Sequence, residues 1–334
     1  MNELPTRTLG TSGPDITTVG FGAWAIGGDW KYGWGRQDDD DSIAAIRRAL
    51  DRGINWIDTA AVYGLGHSEE VVAKALHGLS ERPWVFTKCG LVWHDRPDGV
   101  PFENLRPAEI RRECEESLQR LGVEQIDLYQ FHWPDRTDTP IEDSWGVMAE
   151  LVQEGKVRWV GVSNFDVDLL TRCEAIMHVD SLQPPFNAID RSAAAELLPW
   201  CQANGTGVIV YSPMASGLLT GAFSTERMAT LEPSDWRHGY PEYHEPKLSR
   251  NLALLEALKP IAERHSVSVA AVSVAWTRAW AGVTAAIVGA RNAAQVDGWI
   301  DAADLTLTDA DMREIAEAIQ ATGAGAGPVV PRGI

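Results

Sequence analysis

Four side chains of unlike chemistry, Asp58, Tyr63, Lys88 and His132, close or closely follow short apolar runs at 55–58, 84–88 and 126–131. Their types suit the reduction of a carbonyl. An oxygen that gains electrons when hydride reaches its carbon needs a proton, and a phenol can supply one. A free phenol, with a pKa of about 10, is a poor acid at neutral pH. A lysine ammonium about 4 Å away is worth ~4 kcal/mol at an effective dielectric of about 20, which draws the Tyr63 hydroxyl toward a useful range. Burial would discharge that lysine, and a carboxylate such as Asp58 offsets the loss. His132 would hold the carbonyl oxygen in line through a hydrogen bond. Taken singly, the lysine and the aspartate read as solvated loop residues and the histidine as packing. Only their joint placement carries the chemical reading.

Bringing the four together requires an architecture that gathers the ends of these runs. A strand and turn are predicted over 7–13 and a returning strand over 16–21. Asp41 and Ser42 then open a helix with Ile43, Ile46 and Leu50 on one face, and Gly53 stops it. A strand at 55–58 is followed by a helix capped by Ser68-Glu69-Glu70, with acidic residues where the helix dipole favours them. After the strand at 84–88, Pro107 starts a helix whose Ile110, Cys114, Leu118 and Leu121 share a face, and Gly122 ends it. Strands at 126–131, 159–162, 181–183, 207–211 and 285–288 alternate with helices at 141–154, 169–177, 196–203, 248–264 and 269–279, with a long polar stretch before 248. Counting a strand near Val19, roughly eight strand–helix units result, which suggests a closed parallel barrel.

The expected fold is therefore a (β/α)8 TIM barrel with an N-terminal β-hairpin and extra helices, one domain over residues 1–334. An open doubly wound sheet is the alternative. Gly20-Phe21-Gly22-Ala23-Trp24-Ala25 lacks the third glycine of a Rossmann turn, and Gly64-Leu65-Gly66 does not directly follow a strand. In a barrel the strand ends meet at one rim, where active sites sit.

Bulk properties narrow the partners. The chain has 334 residues, 45% hydrophobic and 23% charged, with a net charge of -18 and a pI near 4.8. That field opposes nucleic acid and anionic membranes. It also opposes a phosphorylated cofactor at long range, so such a cofactor needs locally placed arginines. Cys89, Cys114, Cys173 and Cys201 form no Cys-x-x-Cys pair or zinc spacing, which fits a reduced cytoplasmic compartment. No signal peptide is visible after Met1-Asn2, no apolar run approaches transmembrane length, no metal ligand set emerges, and a monomer is expected.

Asn55-Trp56-Ile57-Asp58-Thr59-Ala60-Ala61-Val62-Tyr63-Gly64 resembles the aldo-keto reductase signature, with its Asp and Tyr five residues apart. Phe86-Thr87-Lys88, Leu128-Tyr129-Gln130-Phe131-His132-Trp133-Pro134-Asp135 and Gly161-Val162-Ser163-Asn164-Phe165 resemble further segments of that family. The likeness runs from Arg7 to about Ile319. Trp24-Ala25-Ile26-Gly27-Gly28 and Gly289-Ala290-Arg291 are similar to the bacterial monomeric branch. The resemblance implies an NADPH-dependent reductase of aldehydes, ketones or sugars, with NADH left open, and Asp58, Tyr63, Lys88 and His132 as its catalytic group.

It also implies a cofactor extended across the barrel mouth, against Gly22, Ala23, Trp24 and Asp58. Ser163, Asn164 and Gln183 would bind the nicotinamide amide, and Tyr211 would stack on its ring. Ser212, Pro213, Met214, Gly217 and Leu218 would wrap the pyrophosphate with backbone N–H groups, and Arg237 would clamp it. Gly289, Ala290, Arg291 and Gln295 match the adenosine-phosphate segment at a helix start, and Arg291 favours a 2′-phosphate. Gly298-Trp299 departs from the family's usual Glu-Asn, which puts the adenine contacts in question.

Trp24, Tyr63, Trp93, His132 and Trp133 are the expected substrate pocket for a small carbonyl compound, and Trp30 and Trp34 fall with Trp24, Trp93 and Trp133 in rim loops that could make it apolar. The tail at 321–334 is expected either to fold over the mouth or to lie loose. A regulatory subunit resembling potassium-channel β subunits is the alternative function; such a subunit would lose the four-residue group or carry an apolar docking face. A metal-dependent hydrolase would need a His-x-His strand end, which His94, His132, His178 and His265 do not form.

Overall fold

A computed structural model describes residues 3–94, 99–233 and 235–331. Met1 and Asn2, where no signal peptide is expected, and the last three residues of the tail lie outside these.

Two short strands come first, β1 (Thr6–Thr8) and β2 (Asp15–Thr17), paired antiparallel. The barrel follows: β3 (Val19–Gly22), α1 (Asp39–Asp51), β4 (Trp56–Asp58), α2 (His67–Leu76), β5 (Trp84–Cys89). A small ribbon of β6 (Leu91–Val92) and β7 (Phe102–Glu103) precedes α3 (Pro107–Leu121). Next come β8 (Ile126–Phe131), α4 (Ile141–Gln153), β9 (Val157–Ser163), α5 (Val167–Glu174), β10 (Ser181–Gln183), α6 (Leu197–Asn204) and β11 (Gly207–Val210). The last portion holds α7 (Thr225–Ala229), α8 (Lys247–His265), α9 (Val269–Arg278), β12 (Ala285–Gly289), α10 (Ala293–Asp297) and α11 (Asp309–Thr322).

The strands close in the order β10-β11-β12-β3-β4-β5-β8-β9, every pair parallel. This is the expected (β/α)8 barrel. Alternating strand residues explain its two cores. One set packs outward on the helices, as Phe131 does on Trp145 at 5.6 Å between ring centroids. The other fills the barrel: Trp56, Phe86, Leu128, Ile209, Ala285 and Ile287, joined from the hairpin by Leu9 and Ile16. Gly20 has no alternative there, because a Cβ would stand 2.1 Å from the Trp56 indole. The hairpin stoppers the amino-terminal end of the barrel. Arg7 Nη1 donates to the carbonyls of Val283 (2.7 Å) and Arg278 (3.3 Å), and Thr11 N donates to Gly205 O (3.0 Å).

Local readings needed correction at three places. The single strand expected over 16–21 is two, β2 in the hairpin and β3 in the barrel. Between them the Thr18 amide leaves for Pro5 O and its hydroxyl for Ala303 O. The first helix opens earlier than Asp41-Ser42: Asp38 is its cap, its carboxylate accepting from Asp40 N (2.8 Å) and Asp41 N (3.3 Å). Ser68 caps nothing. The residue before α2 is Gly66, in the left-handed region, and Ser68 Oγ donates to Ala23 O. Its neighbour Glu69 is fully buried, accepting from Thr87 Oγ1 (2.6 Å) and paired with Arg120 (2.6 Å). Glu69 and Glu70 do lie in the first turn of α2, as expected, and Glu69 has a buried packing role besides. Gly122 does end α3 in the left-handed region, and Pro107 does begin it.

Candidate active site

The carboxyl ends of β4, β5 and β8 bring Asp58, Lys88 and His132 to one rim, and the loop after β4 returns Tyr63 to them. Lys88 is 1% exposed. Its Nζ donates to Asp58 Oδ1 (2.5 Å), to Thr59 O (2.9 Å) and to the Tyr63 hydroxyl (3.3 Å). The Tyr63 and His132 rings meet edge-on, centroids 5.5 Å apart. Backbone bonds fix the last member: His132 N donates to Cys89 O (2.9 Å), and Asn164 Nδ2 donates to His132 O (2.9 Å).

Asp58 is held on its other oxygen by Gln183 Nε2 (2.9 Å) and Gln130 Nε2 (3.3 Å). Gln130 is an addition to the expected set. The signal for it was a glutamine inside the apolar run 126–131, at a position the barrel buries completely.

The electrostatics differ from expectation in one respect. Burial, and next the Asp58 carboxylate, push the Tyr63 phenol well above its ordinary value of 10. The sequence offers Lys88, kept charged by Asp58, as the group that draws the phenol down. The fold sets Asp58 against it, so the phenol faces a nearly neutral pair. Burial lowers Lys88 below an ordinary lysine, although Asp58 opposes that shift. Burial, and next the Lys88 charge, hold His132 well below 6.5, so its imidazole is neutral. The arrangement is a protonated phenol, hydrogen-bonded by an ammonium, beside a neutral imidazole.

Around this group lie the other expected residues. Gly22 pairs with Asp58 in strand register, Gly289 pairs with Gly22, and Ala23 N donates to Asp58 O (2.8 Å). Ser163 Oγ donates to Gln183 O (2.7 Å), and the Tyr211 hydroxyl donates to Asn164 Oδ1 (2.8 Å). Asn164 takes a left-handed φ of 63°, which an asparagine tolerates. The segment after Tyr211 is locally wound. Ser212, Ala215 and Ser216 all have positive φ, and the amides of Ala215, Gly217 and Leu218 donate within the loop. Arg237, 5% exposed, pairs with Asp235 (2.6 Å) and lies over the Trp34 ring at 4.6 Å. Its Nη1 stands 4.0 Å from where a Gly217 Cβ would be. Arg291 Nε donates to Gln37 Oε1 (2.7 Å), and Nη2 to Arg36 O (2.5 Å). Arg291 N donates to Gln295 Oε1 (2.8 Å), ahead of a short helix capped by Asn292.

The expected pocket aromatics divide. Trp24 packs against Trp34 and Trp236, both at 5.5 Å, tying the loop after β3 to the loop after β11. Trp30 lies 6.3 Å from the Tyr63 ring, Trp93 abuts His94 at 4.9 Å, and Trp133 is 39% exposed. The indole N–H groups of Trp30, Trp34 and Trp236 are buried with no hydrogen-bond partner among the described residues.

Residues 18–320 match the sequence model of the aldo/keto reductase family. The aldo-keto reductase YhdN of Bacillus subtilis (strain 168) is 36% identical over 311 residues, 92% of this chain and 91% of that protein. The NADH-specific methylglyoxal reductase of Escherichia coli (strain K12) is 35% identical over 335 residues, 96% of this chain and 100% of that one. Among solved structures, the glycerol dehydrogenase of Gluconobacter oxydans is similar with a TM-score of 0.88 and 37% identity, over 98% of each chain.

Proposed function

The chain belongs to the aldo/keto reductase family of oxidoreductases, and from that premise we propose that it reduces small carbonyl compounds with NADPH, Tyr63 acting as general acid. The observation that carries this reading is the buried Lys88 ammonium donating at once to Asp58 (2.5 Å) and to the Tyr63 hydroxyl (3.3 Å).

The groups at the mouth fit a nicotinamide dinucleotide. Arg237 is a buried guanidinium with one nitrogen turned toward Gly217. Nearby, the indole N–H groups of Trp34 and Trp236 lack partners among the described residues. A phosphate-rich ligand would satisfy such donors. Ser163, Asn164 and Gln183 would hold the carboxamide, Tyr211 the ring face, and Arg291 with Gln295 the adenosine phosphate. When bound, the cofactor supplies the hydride.

The chain's own part is the proton and the oxygen. His132, neutral, donates a hydrogen bond that holds the carbonyl oxygen toward Tyr63. As the carbon is reduced, the Tyr63 proton passes to that oxygen. The phenolate left behind is stabilised by the Lys88 N–H already directed at it. The raised phenol pKa keeps the acid loaded, and the Lys88 hydrogen bond, by stabilising the phenolate, lets the proton go as the substrate oxygen becomes basic.

The test is to follow nicotinamide absorbance with purified protein, NADPH and NADH in parallel. Methylglyoxal heads a panel of aldehydes and ketones, and glycerol is tried in the oxidative direction. Turnover with at least one carbonyl is expected, most of it lost in Tyr63→Phe. No turnover by either cofactor across the panel and in reverse would sink the proposal.

A further inference from the structure

Arg191 is 3% exposed, and the carboxylate whose charge acts on it, that of its neighbour Asp190, accepts from Ser192 N and Oγ. Its guanidinium is satisfied by carbonyl oxygens instead. One belongs to Ala188; the others belong to the carboxyl-terminal tail, Pro328 (2.9 Å), Ala324 (3.3 Å) and Gly327 (3.5 Å). The backbones interlock as well: Arg191 N donates to Ala326 O and Ala326 N to Ile189 O, both at 2.9 Å. The fit leaves no room, since a Cβ on Gly325 would fall 1.8 Å from Ile189 O and one on Gly327 2.5 Å from the Arg191 carbonyl carbon. Residues 324–328 of the tail are thus clipped into the loop that follows β10.

That loop also holds the corner at the end of β11. Tyr211 N donates to Pro184 O (3.1 Å), and Phe186 N donates to Tyr211 O (3.2 Å). Asn187, 4% exposed, donates from Nδ2 to Ser212 O (3.0 Å), while its Oδ1 accepts from Ile189 N and Asp190 N, both at 2.8 Å. Ser212 is left-handed, φ 55°, a conformation costly for serine that persists only when its surroundings hold it.

We propose that residues 324–328 are a positioning element for cofactor binding: clipped by Arg191, they fix the loop at 184–191 and, through Asn187, the Tyr211–Ser212 corner. This rests on the reading of Tyr211 as the surface on which the nicotinamide lies. Without the tail, Arg191 keeps only Ala188 O. A buried cation stripped of its acceptors must move toward water, and the loop moves with it.

The experiment compares deletion of residues 324–334, Asn187→Ala, Arg191→Lys and Tyr211→Ala with the full chain. The readouts are NADPH affinity by quenching of tryptophan fluorescence, kcat at saturating cofactor, and circular dichroism. If the competent corner falls to about a tenth of the population, the cofactor Kd rises about tenfold. The expected result is that rise in the deletion and in Asn187→Ala, a smaller one in Arg191→Lys, and kcat at saturation within about twofold of the full chain. A synthetic peptide of residues 320–334 should restore affinity to the deletion but not to Asn187→Ala. Asn187→Ala decides alone if the deletion does not fold. Unchanged affinity in the deletion and Asn187→Ala, with weakened binding in Tyr211→Ala, overturns the proposal. Unchanged affinity in Tyr211→Ala overturns the assignment of the nicotinamide surface, and this proposal with it.

Discussion

At the scale of the residue, the deciding feature is that Lys88 is shared between a carboxylate and a phenol. Tyr63→Phe keeps the ring and removes only the proton, so kcat should fall by roughly 10²–10⁴ while NADPH affinity, read by fluorescence quenching, stays within about twofold. The pH dependence follows from the directions of the shifts. His132 is held well below 6.5 and stays neutral from mildly acid pH upward. Tyr63 is held well above 10 and keeps its proton, whereas burial brings Lys88 below 10.5. Of the pair, Lys88 loses its proton first as pH rises, so an alkaline loss of kcat/KM should report Lys88. Lys88→Met should be slow and flat across that range. An equal alkaline fall in wild type and Lys88→Met, in a pH–rate profile with folding checked by circular dichroism, would assign the fall to another group. The four-residue group was legible because each member sits at a strand end or in the loop behind one. The direction of the phenol's shift is not legible: it is set first by complete burial and next by the Asp58 carboxylate, and burial is a fact of the closed barrel.

At the scale of the element, glycines show what each strand or helix can absorb. Gly20 lies on β3 with Trp56 where a Cβ would be, so Gly20→Ala should cost about 1–3 kcal/mol or more. Gly146 lies within α4 with nothing within 4 Å of its Cβ position. Gly146→Ala should stabilise by about 0.5–1 kcal/mol through helix propensity. Urea denaturation of the two variants checks both signs. The link between α3 and β5 carries a pH effect. Glu113 is buried, accepts from Gly90 N (2.8 Å), and burial pushes its carboxyl up to about 8. Between the ordinary carboxyl value of 4.5 and about 8 the folded state holds the extra proton, so this group makes stability fall as pH rises through that window. Glu113→Gln should flatten that slope, read from urea midpoints at several pH values; an unchanged slope would clear Glu113. Element types were legible wherever periodicity was long, as in α3 and α8. Boundaries are not legible where side chains far apart decide them: the break at Thr18 depends on Ala303, and α11 is a helix the expected set lacks, opened by a capping box of Thr308 and Asp311.

At the scale of the molecule, a net charge of -18 sets a field against a polyanionic cofactor, and the arginines proposed to hold one, Arg237 and Arg291, are already engaged within the chain. Arg291 reaches back across 254 positions to Gln37 and across 255 to Arg36. Those bonds use two of its nitrogens, so its preference for a 2′-phosphate should sit at the low end of a charged hydrogen bond, ~1.5 kcal/mol or about tenfold in Kd. Arg291→Ala should weaken NADPH by that factor and NADH hardly at all, in parallel fluorescence titrations. Equal weakening of both would move Arg291 to the pyrophosphate. The barrel as a whole was legible from strict strand–helix alternation. The meeting of the loops after β3 and β11 through Trp24, Trp34 and Trp236 was not, because no local pattern links positions two hundred residues apart.

The hairpin at the foot of the barrel has a consequence for how the molecule is tied together. Its anchors are Gly205, Arg278 and Val283, and Arg7 finds two of them 271 and 276 positions downstream. Leu9 and Ile16 are buried in company with Trp56, Phe86, Leu128, Ile209, Ala285 and Ile287, drawn from five different strands of the ring. The hairpin is therefore a keystone: its seat is a property of the closed ring and of no single strand–helix unit, so loosening any of those strands also loosens the plug.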